Sequence, residues 1–175
     1  MATRSSWTLG RTISTGTRGM TAAKTPQAAE AGAKVLAKGG NAIDAAVTTA
    51  AVAWVAEPWM NGLGGGGYPV RPTPGRPGPP IEFPPVPPRR APPGVFRRAK
   101  TTKDRELFGW ASVVDNANIV GPRSVAVPGS LAGLAKALEL FGTISLAQAL
   151  EPAIALAEEG MPVTWHWSYE VARDL

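Results

Sequence analysis

Cysteine is absent from the 175 residues and histidine occurs once. Without cysteine, a disulfide scaffold, a cysteine nucleophile and a thiolate metal site are all excluded within these residues. Long apolar runs are also lacking, because the longest one, residues 42–56, is interrupted by Asp44, Thr48 and Thr49 and is too short to span a bilayer. We therefore expect a buried helix at 42–56, no membrane partner, and neither a metal nor any other cofactor.

An apolar leader is likewise not apparent at the N-terminus. Residues 1–18 are rich in Ser, Thr, Gly and Arg and show no hydrophobic periodicity, which predicts a disordered N-terminal segment. The absence of an apolar stretch followed by a small-residue cleavage site predicts a cytoplasmic location.

Acidic residues are scarce in one window, residues 69–100, which has six arginines and one lysine but only one acid, Glu82. The same window holds 12 of the 18 prolines, while the rest of the chain has 11 basic and 12 acidic residues. The high isoelectric point is therefore a local property, and we do not expect a nucleic-acid partner. Clustered prolines remove the amide donors of a sheet, so an irregular insert is predicted here. Within residues 69–93 only residues 81–83 keep strand character, and order is expected to return near Leu107.

Helix signals flank this window on both sides. Thr25 is a candidate N-cap for a helix from Pro26, with Gly39 and Gly40 as its left-handed stop. Asn41 is the expected N-cap of the next helix.

That second helix is predicted over residues 42–57, with Asp44 reaching back to the Asn41 amide and Pro58 ending it. It is apolar on nearly every face, so it needs partners on several sides. The glycine-dense residues 62–67 that follow predict a structural turn leading into a strand, since no lysine and serine or threonine follow as in a phosphate loop.

Three helices are predicted in the last third of the chain. The first follows a turn at Pro128 and ends at Leu140; the second has a capping box of Ser145 and Gln148, and Pro152 is expected to break or kink it. The third is expected to begin near Thr164.

Two long stretches carry a family resemblance. Residues 19–67 include GGNAIDAA and GLGGGG, residues 121–163 include VAVPGSLAGL and EPAIALAEEGMPV, and a weaker echo lies in IEFPPVPPRRAPPGVF at 81–96. Taken in order, they resemble the γ-glutamyltranspeptidase (glutathione hydrolase) family. The resemblance implies an α+β fold of the N-terminal-nucleophile hydrolase type, an αββα sandwich. Residues 19–175 would be an incomplete, helix-rich N-terminal portion of its large subunit.

The implied activity is transfer of a γ-glutamyl group from glutathione-like amides to water or amino acids. In the family, self-cleavage frees a threonine at the N-terminus of a small subunit, and that threonine attacks the amide. Thr101-Thr102-Lys103 lacks the histidine of that processing site, so we assign no catalytic residue here. The chain alone is predicted to be inactive, and its implied partners are a γ-glutamyl small molecule and a missing C-terminal small subunit.

The family also clamps the substrate's α-carboxylate with an arginine in a motif like FRETAP. The matching register here is FPPVPP, which puts Pro84 at the arginine's position. Arg89 and Arg90 are the candidates to replace it as substrate-binding residues. Some relatives lack that arginine, which implies a different acyl substrate.

The proline- and arginine-rich segment has three open interpretations. PPVPPRR resembles a polyproline II ligand of SH3-type domains; the charge also suits a nucleic-acid contact, though aromatic side chains are few. A shifted reading frame would produce the same composition. The alternatives to an enzyme part are accordingly a non-catalytic interaction protein and a degraded, non-functional gene product.

Overall fold

The computed structural model describes residues 13–70, 78–103 and 111–173. The predicted 1–18 segment falls partly outside these ranges, and residues 13–18 contain neither helix nor strand. Five α-helices, one short 3₁₀ helix at Val114–Asn116 and four short strands occur in the described ranges. In chain order the α-helices and strands are α1 Pro26–Ala37, α2 Ala42–Ala56, β1 Gly67–Val70, β2 Ile81–Phe83, β3 Arg98–Lys103, β4 Ala111–Val113, α3 Ser130–Phe141, α4 Leu146–Glu159 and α5 Trp165–Arg173.

Helix α1 begins with Pro26, as predicted, but Thr25 does not cap it through its side chain. Thr25 Oγ1 is buried and has no hydrogen-bond partner among the described residues, so the amides of the first turn receive no hydrogen bond from it. The C-terminal stop is confirmed at Gly39, which has a φ of 92°, a left-handed conformation that glycine adopts without steric cost. Gly40 is not left-handed, so the prediction was wrong for that residue.

Helix α2 lies at the centre of the helical layer, with α1, α3 and α4 packed on it. This confirms that its all-round apolar surface needs several partners. Small side chains let the helices approach closely, and the buried residues form two adjoining groups: Ala28, Ala31, Ala51, Val52 and Ala153 in one, and Val47, Leu138 and Ala149 in the other. None of the helices in the described ranges has the length and hydropathy needed to cross a membrane.

Helix α4 runs unbroken through Pro152, so the proline does not break it; a kink at this residue, the other predicted outcome, stays a prediction. A proline removes one backbone hydrogen bond, but Ala149 and Ala153 on either side of it are buried in the core. Tertiary packing holds the helix together at this point. The capping box of Ser145 and Gln148 is confirmed.

The strands form two separate antiparallel pairs, β1 with β2 and β3 with β4. Strand β1 extends through Pro69, and Val70 pairs with Ile81, so these two residues are in a ladder where irregular backbone was predicted. The pairing is irregular between Gly67 and Val70, as expected for a strand containing proline. Residues 71–77 of the predicted irregular segment lie outside the described ranges.

Order also returns earlier than predicted, at β3 from Arg98 and not near Leu107. Within the proline-rich segment, Val86 forms an isolated bridge to Val127, with the Val127 amide donating to the Val86 carbonyl over 2.9 Å. The flanking prolines lack amides but not carbonyls, so a single accepting bridge is compatible with them.

Candidate functional site

The glycine-rich turn, residues 62–67, joins α2 to β1 and supports the start of α3. The Gly65 carbonyl accepts hydrogen bonds from the amides of Gly129 and Ser130, both over 3.0 Å. These are amides at the start of a helix that have no partner within it. The turn is therefore a structural support, as the sequence predicted.

The packing of Phe83, the last residue of β2, requires glycine at the two positions that flank its ring. Its ring lies where a Cβ would project from Gly67 on β1 and from Gly133 on α3. At Gly66 a Cβ would lie 2.5 Å from Pro85 Cδ and 2.6 Å from the Phe83 carbonyl oxygen. The end of β2 is thus wedged between the glycine-rich turn and α3, which fixes where residue 84 lies.

Pro84 directly follows this wedged strand end and is exposed. The family resemblance places the substrate-clamping arginine at this position, and a pyrrolidine ring has no charge and no donor with which to bind a carboxylate. The residue that follows this well-supported strand end therefore has no carboxylate-binding group of its own.

Arg89 and Arg90 lie beyond it, in an exposed turn closed by the Ala91 amide donating to the Pro88 carbonyl over 2.8 Å. They are separated from Pro84 by the proline pair Pro87-Pro88. Their role as replacement substrate-binding residues stays a prediction.

A second polar centre lies at the opposite end of α2, in its first turn, at Asp44. This carboxylate is fully buried. It accepts from the Asn41 amide over 2.8 Å, which completes the predicted capping box. It also accepts from the Thr143 amide over 2.8 Å and from the Thr143 hydroxyl over 2.6 Å. Asp44 is a structural acceptor that ties the start of α2 to the loop between α3 and α4.

The protonation of Asp44 follows from these contacts. Burial raises the pKa of the carboxyl, but the hydrogen bonds from Thr143, Asn41 and Ile144 outweigh it and hold the pKa below the ordinary value of 3.8. Asp44 is therefore ionised at neutral pH. A permanently ionised, fully bonded carboxylate cannot serve as a general acid, in agreement with its interpretation as a helix-start residue.

His166 is half-buried against aromatic residues, as a packing role predicts. Its ring lies 5.7 Å from that of Trp59 and 5.4 Å from that of Trp165, measured between centroids. Its Nε2 lies 3.4 Å from a Glu170 carboxylate oxygen. These contacts attach α5 to the turn that follows α2.

Within residues 13–70, 78–103 and 111–173, no three His, Asp or Glu side chains come together as metal ligands. The Thr101-Thr102-Lys103 sequence lies in strand β3.

Sequence reasoning missed two kinds of contact in this geometry, the long-range hydrogen bonds of Asp44 and Asn41 and the packing of Phe83 against glycine. The partners of Asp44 on the α3–α4 loop are 99 residues away along the chain, and Asn41 Nδ2 donates to the Phe141 carbonyl over 2.7 Å across 100 residues. A single sequence carries no signal for such pairs. The glycine contacts of Phe83 were hinted at only by the density of glycine at 62–67.

Helices layered on short antiparallel strands, with a glycine-rich turn supporting the strand end, place the chain among N-terminal-nucleophile hydrolases. A family model described as Gamma-glutamyltranspeptidase matches residues 28–175. The chain belongs to the γ-glutamyltranspeptidase family.

Individual relatives agree with this assignment. The chain is 42% identical to the Acylase ACY 1 proenzyme of Pseudomonas sp. (strain V22), over 86% of this chain and 26% of that protein. It is 38% identical to the Glutathione hydrolase proenzyme of Bacillus subtilis (strain 168), over 86% and 24%. The crystal structure of Helicobacter pylori γ-glutamyltranspeptidase matches with a TM-score of 0.72 and 31% identity, covering 92% of this chain and 43% of that one. The chain thus spans about a quarter of the length of its curated relatives.

Proposed function

We propose that this chain is the N-terminal part of the large-subunit region of an enzyme that transfers or hydrolyses an acyl group held in an amide. The observation that best supports this proposal is the structural match to Helicobacter pylori γ-glutamyltranspeptidase over 92% of the chain. The two curated relatives above are proenzymes that are about four times as long as the stretch they share with this chain. The nucleophile and its base come, in this proposal, from a C-terminal small subunit.

The reaction follows the resemblance. A threonine hydroxyl of the small subunit attacks the carbonyl carbon of the γ-glutamyl amide, the C–N bond breaks, and the amine leaves with a proton. The resulting ester is then attacked by water or by the amino group of an amino acid, which releases the acyl group and restores the hydroxyl. This chain's part is to place the β2 strand end, through Phe83 and the glycine-rich turn, at the acyl group.

Complementation tests this proposal. The chain is co-expressed with the C-terminal part of the Bacillus subtilis glutathione hydrolase, meaning everything that follows the matched stretch, and cleavage of an acyl anilide is followed by absorbance. We expect turnover from the pair and none above background from either part alone. Soluble, associated chains with no turnover of any acyl anilide would contradict the proposal.

A second candidate is an acylase whose acyl group is not γ-glutamyl. Pro84 in the clamp register favours it, and so does the 42% identity to an acylase proenzyme. Without the arginine, the α-carboxylate of a γ-glutamyl substrate has no positively charged partner and contributes no favourable binding free energy.

Two anilides separate the candidates. γ-Glutamyl anilide carries the α-carboxylate, and 4-aminobutanoyl anilide lacks only that group. If the site is glutamyl-specific through Arg89 or Arg90, Arg89→Ala or Arg90→Ala should raise KM for γ-glutamyl anilide alone. If the clamp is absent, both anilides should react with similar kcat/KM, and neither variant should discriminate between them.

A further inference from the structure

Residues 84–90, PPVPPRR, form an exposed segment whose conformation is restricted by its composition. Each proline fixes its own φ near −65°, and each residue before a proline is held in extended geometry. A polyproline II path over residues 84–87 follows, and it has about three residues per turn. We call residues 84–90 the PPVPPRR segment.

Two contacts with the body of the protein orient this segment. The Val86 carbonyl accepts from the Val127 amide over 2.9 Å. Pro85 Cδ approaches Gly66 so closely that a Cβ there would lie 2.5 Å from it. The segment is therefore held in place, which lowers the entropy that a partner would have to remove on binding.

The same contacts select one of two overlapping P-x-x-P motifs. With three residues per turn, Pro84 and Pro87 share one edge of the polyproline II helix, and Pro85 and Pro88 share another. All four prolines and both arginines of the segment are exposed, so exposure alone does not choose between the two motifs. The contact of Pro85 Cδ with Gly66 does, because it obstructs the edge of Pro85 and Pro88 and leaves that of Pro84 and Pro87 without such a contact.

We propose that the edge formed by Pro84 and Pro87, together with Arg89, is a docking ligand for an SH3-type domain. Such domains bind two prolines at this spacing in an aromatic-lined groove. Residues 84–98 contain four arginines and no acidic residue, so the complementary groove has an acidic rim. Pro84 also lies in the register of the substrate clamp, so docking and binding of an acyl substrate at this strand end exclude each other.

The test titrates the chain, in its co-expressed complex with the remaining part of the Bacillus subtilis relative, into an isotope-labelled SH3 domain of the kind that requires arginine after the second proline; a synthetic peptide of residues 81–96 is titrated in parallel, so that a fold defect is distinguished from loss of the motif. Saturable shift changes in the aromatic groove are expected. Pro87→Ala and Arg89→Glu should each weaken binding about tenfold or more, because they remove central contacts. The matched controls in the other register, Pro88→Ala and Arg90→Glu, should stay within about threefold of the original chain.

Absence of saturable binding would overturn the proposal. Equal losses for Arg89→Glu and Arg90→Glu, or for Pro87→Ala and Pro88→Ala, would overturn the assigned edge. Binding of single-stranded DNA by the chain, with no shift in the SH3 groove, would show instead that the arginines serve a nucleic acid.

Discussion

The Thr143 hydroxyl donates a 2.6 Å hydrogen bond to the carboxylate of Asp44, although the two residues are 99 positions apart. The Thr143 amide donates to the other oxygen of the same carboxylate. One buried side chain thus caps the start of α2 and also binds the loop between α3 and α4. This contact joins the two stretches of sequence that carry the family resemblance.

Removing that charge should destabilise the fold. Asp44→Asn keeps the size but replaces one acceptor oxygen by an NH₂ group, which faces donors. We expect a loss of about 1.5–3 kcal/mol in the free energy of unfolding, the range of hydrogen bonds to charged groups. Urea unfolding followed by circular dichroism measures it, in the complemented pair if the chain alone is not cooperative. Thr143→Ser, which keeps the hydroxyl, is the matched control, and an Asp44→Asn midpoint equal to that of the original would contradict the account.

The same carboxylate predicts a dependence on pH. Its pKa is held below the ordinary value of 3.8 in the folded state, so the unfolded chain binds this proton more readily. The stabilisation is therefore complete above about pH 5, shrinks below 3.8, and is lost as the pH falls through the folded value. The difference in unfolding free energy between the original chain and Asp44→Asn, measured from pH 7 to pH 2, should fall in this window. A difference that does not change with pH would refute the assignment.

The contact between Phe83 and Gly133 gives a steric prediction. In an ordinary helix, glycine to alanine gains up to about 1 kcal/mol. Gly133→Ala should instead cost about 1–3 kcal/mol, because the new methyl group overlaps the Phe83 ring and overpacks the strand end.

Two further variants test the cause. Gly64→Ala, where no atom lies within 4 Å, should be close to neutral. Phe83→Leu combined with Gly133→Ala should recover part of the loss, and strict additivity of the two changes would argue against direct contact.

The local elements were largely predictable from the sequence, since caps, stops and apolar patterns act over a few residues. Asn41 with Asp44 and Ser145 with Gln148 are of this kind. Pro152 does not break α4 because the backbone hydrogen bond that it removes is a local loss. Packing of Ala149 and Ala153 against neighbouring helices offsets that loss, and the local sequence does not show this packing. Thr25 misled the prediction for a related reason, since its hydroxyl is buried by tertiary structure.

The candidate site was predictable only through the resemblance, which supplied the register that puts Pro84 at the clamp position. The wedge of Phe83 against Gly67 and Gly133 depends on contacts between three separate elements, and no spacing in the sequence encodes it. Strand β3 was missed because Arg98 and Lys100 read as part of a basic irregular segment, while pairing with β4 decides its conformation.

Isolated from a partner, the chain should be marginally folded. Four apolar side chains around the start of the second family stretch are each 43–69% exposed: Ile119, Val120, Val125 and Val127. Exposed apolar surface of this kind favours aggregation or a loosely packed state. Thermal unfolding of the purified chain should be broad and accompanied by dye binding, and a sharp cooperative transition in a monomer would be evidence against this prediction.

Trapping the acylated intermediate tests whether this chain completes an acyl-transferring enzyme. The chain and the C-terminal part of the Bacillus subtilis relative are exposed briefly to an acyl anilide, and intact masses are measured. We expect one acyl group on the N-terminal threonine of the small subunit that self-cleavage frees from that part, only when this chain is present, and none on this chain. Acylation of the C-terminal part without this chain, or no acylation in a stable complex of the two, would contradict it.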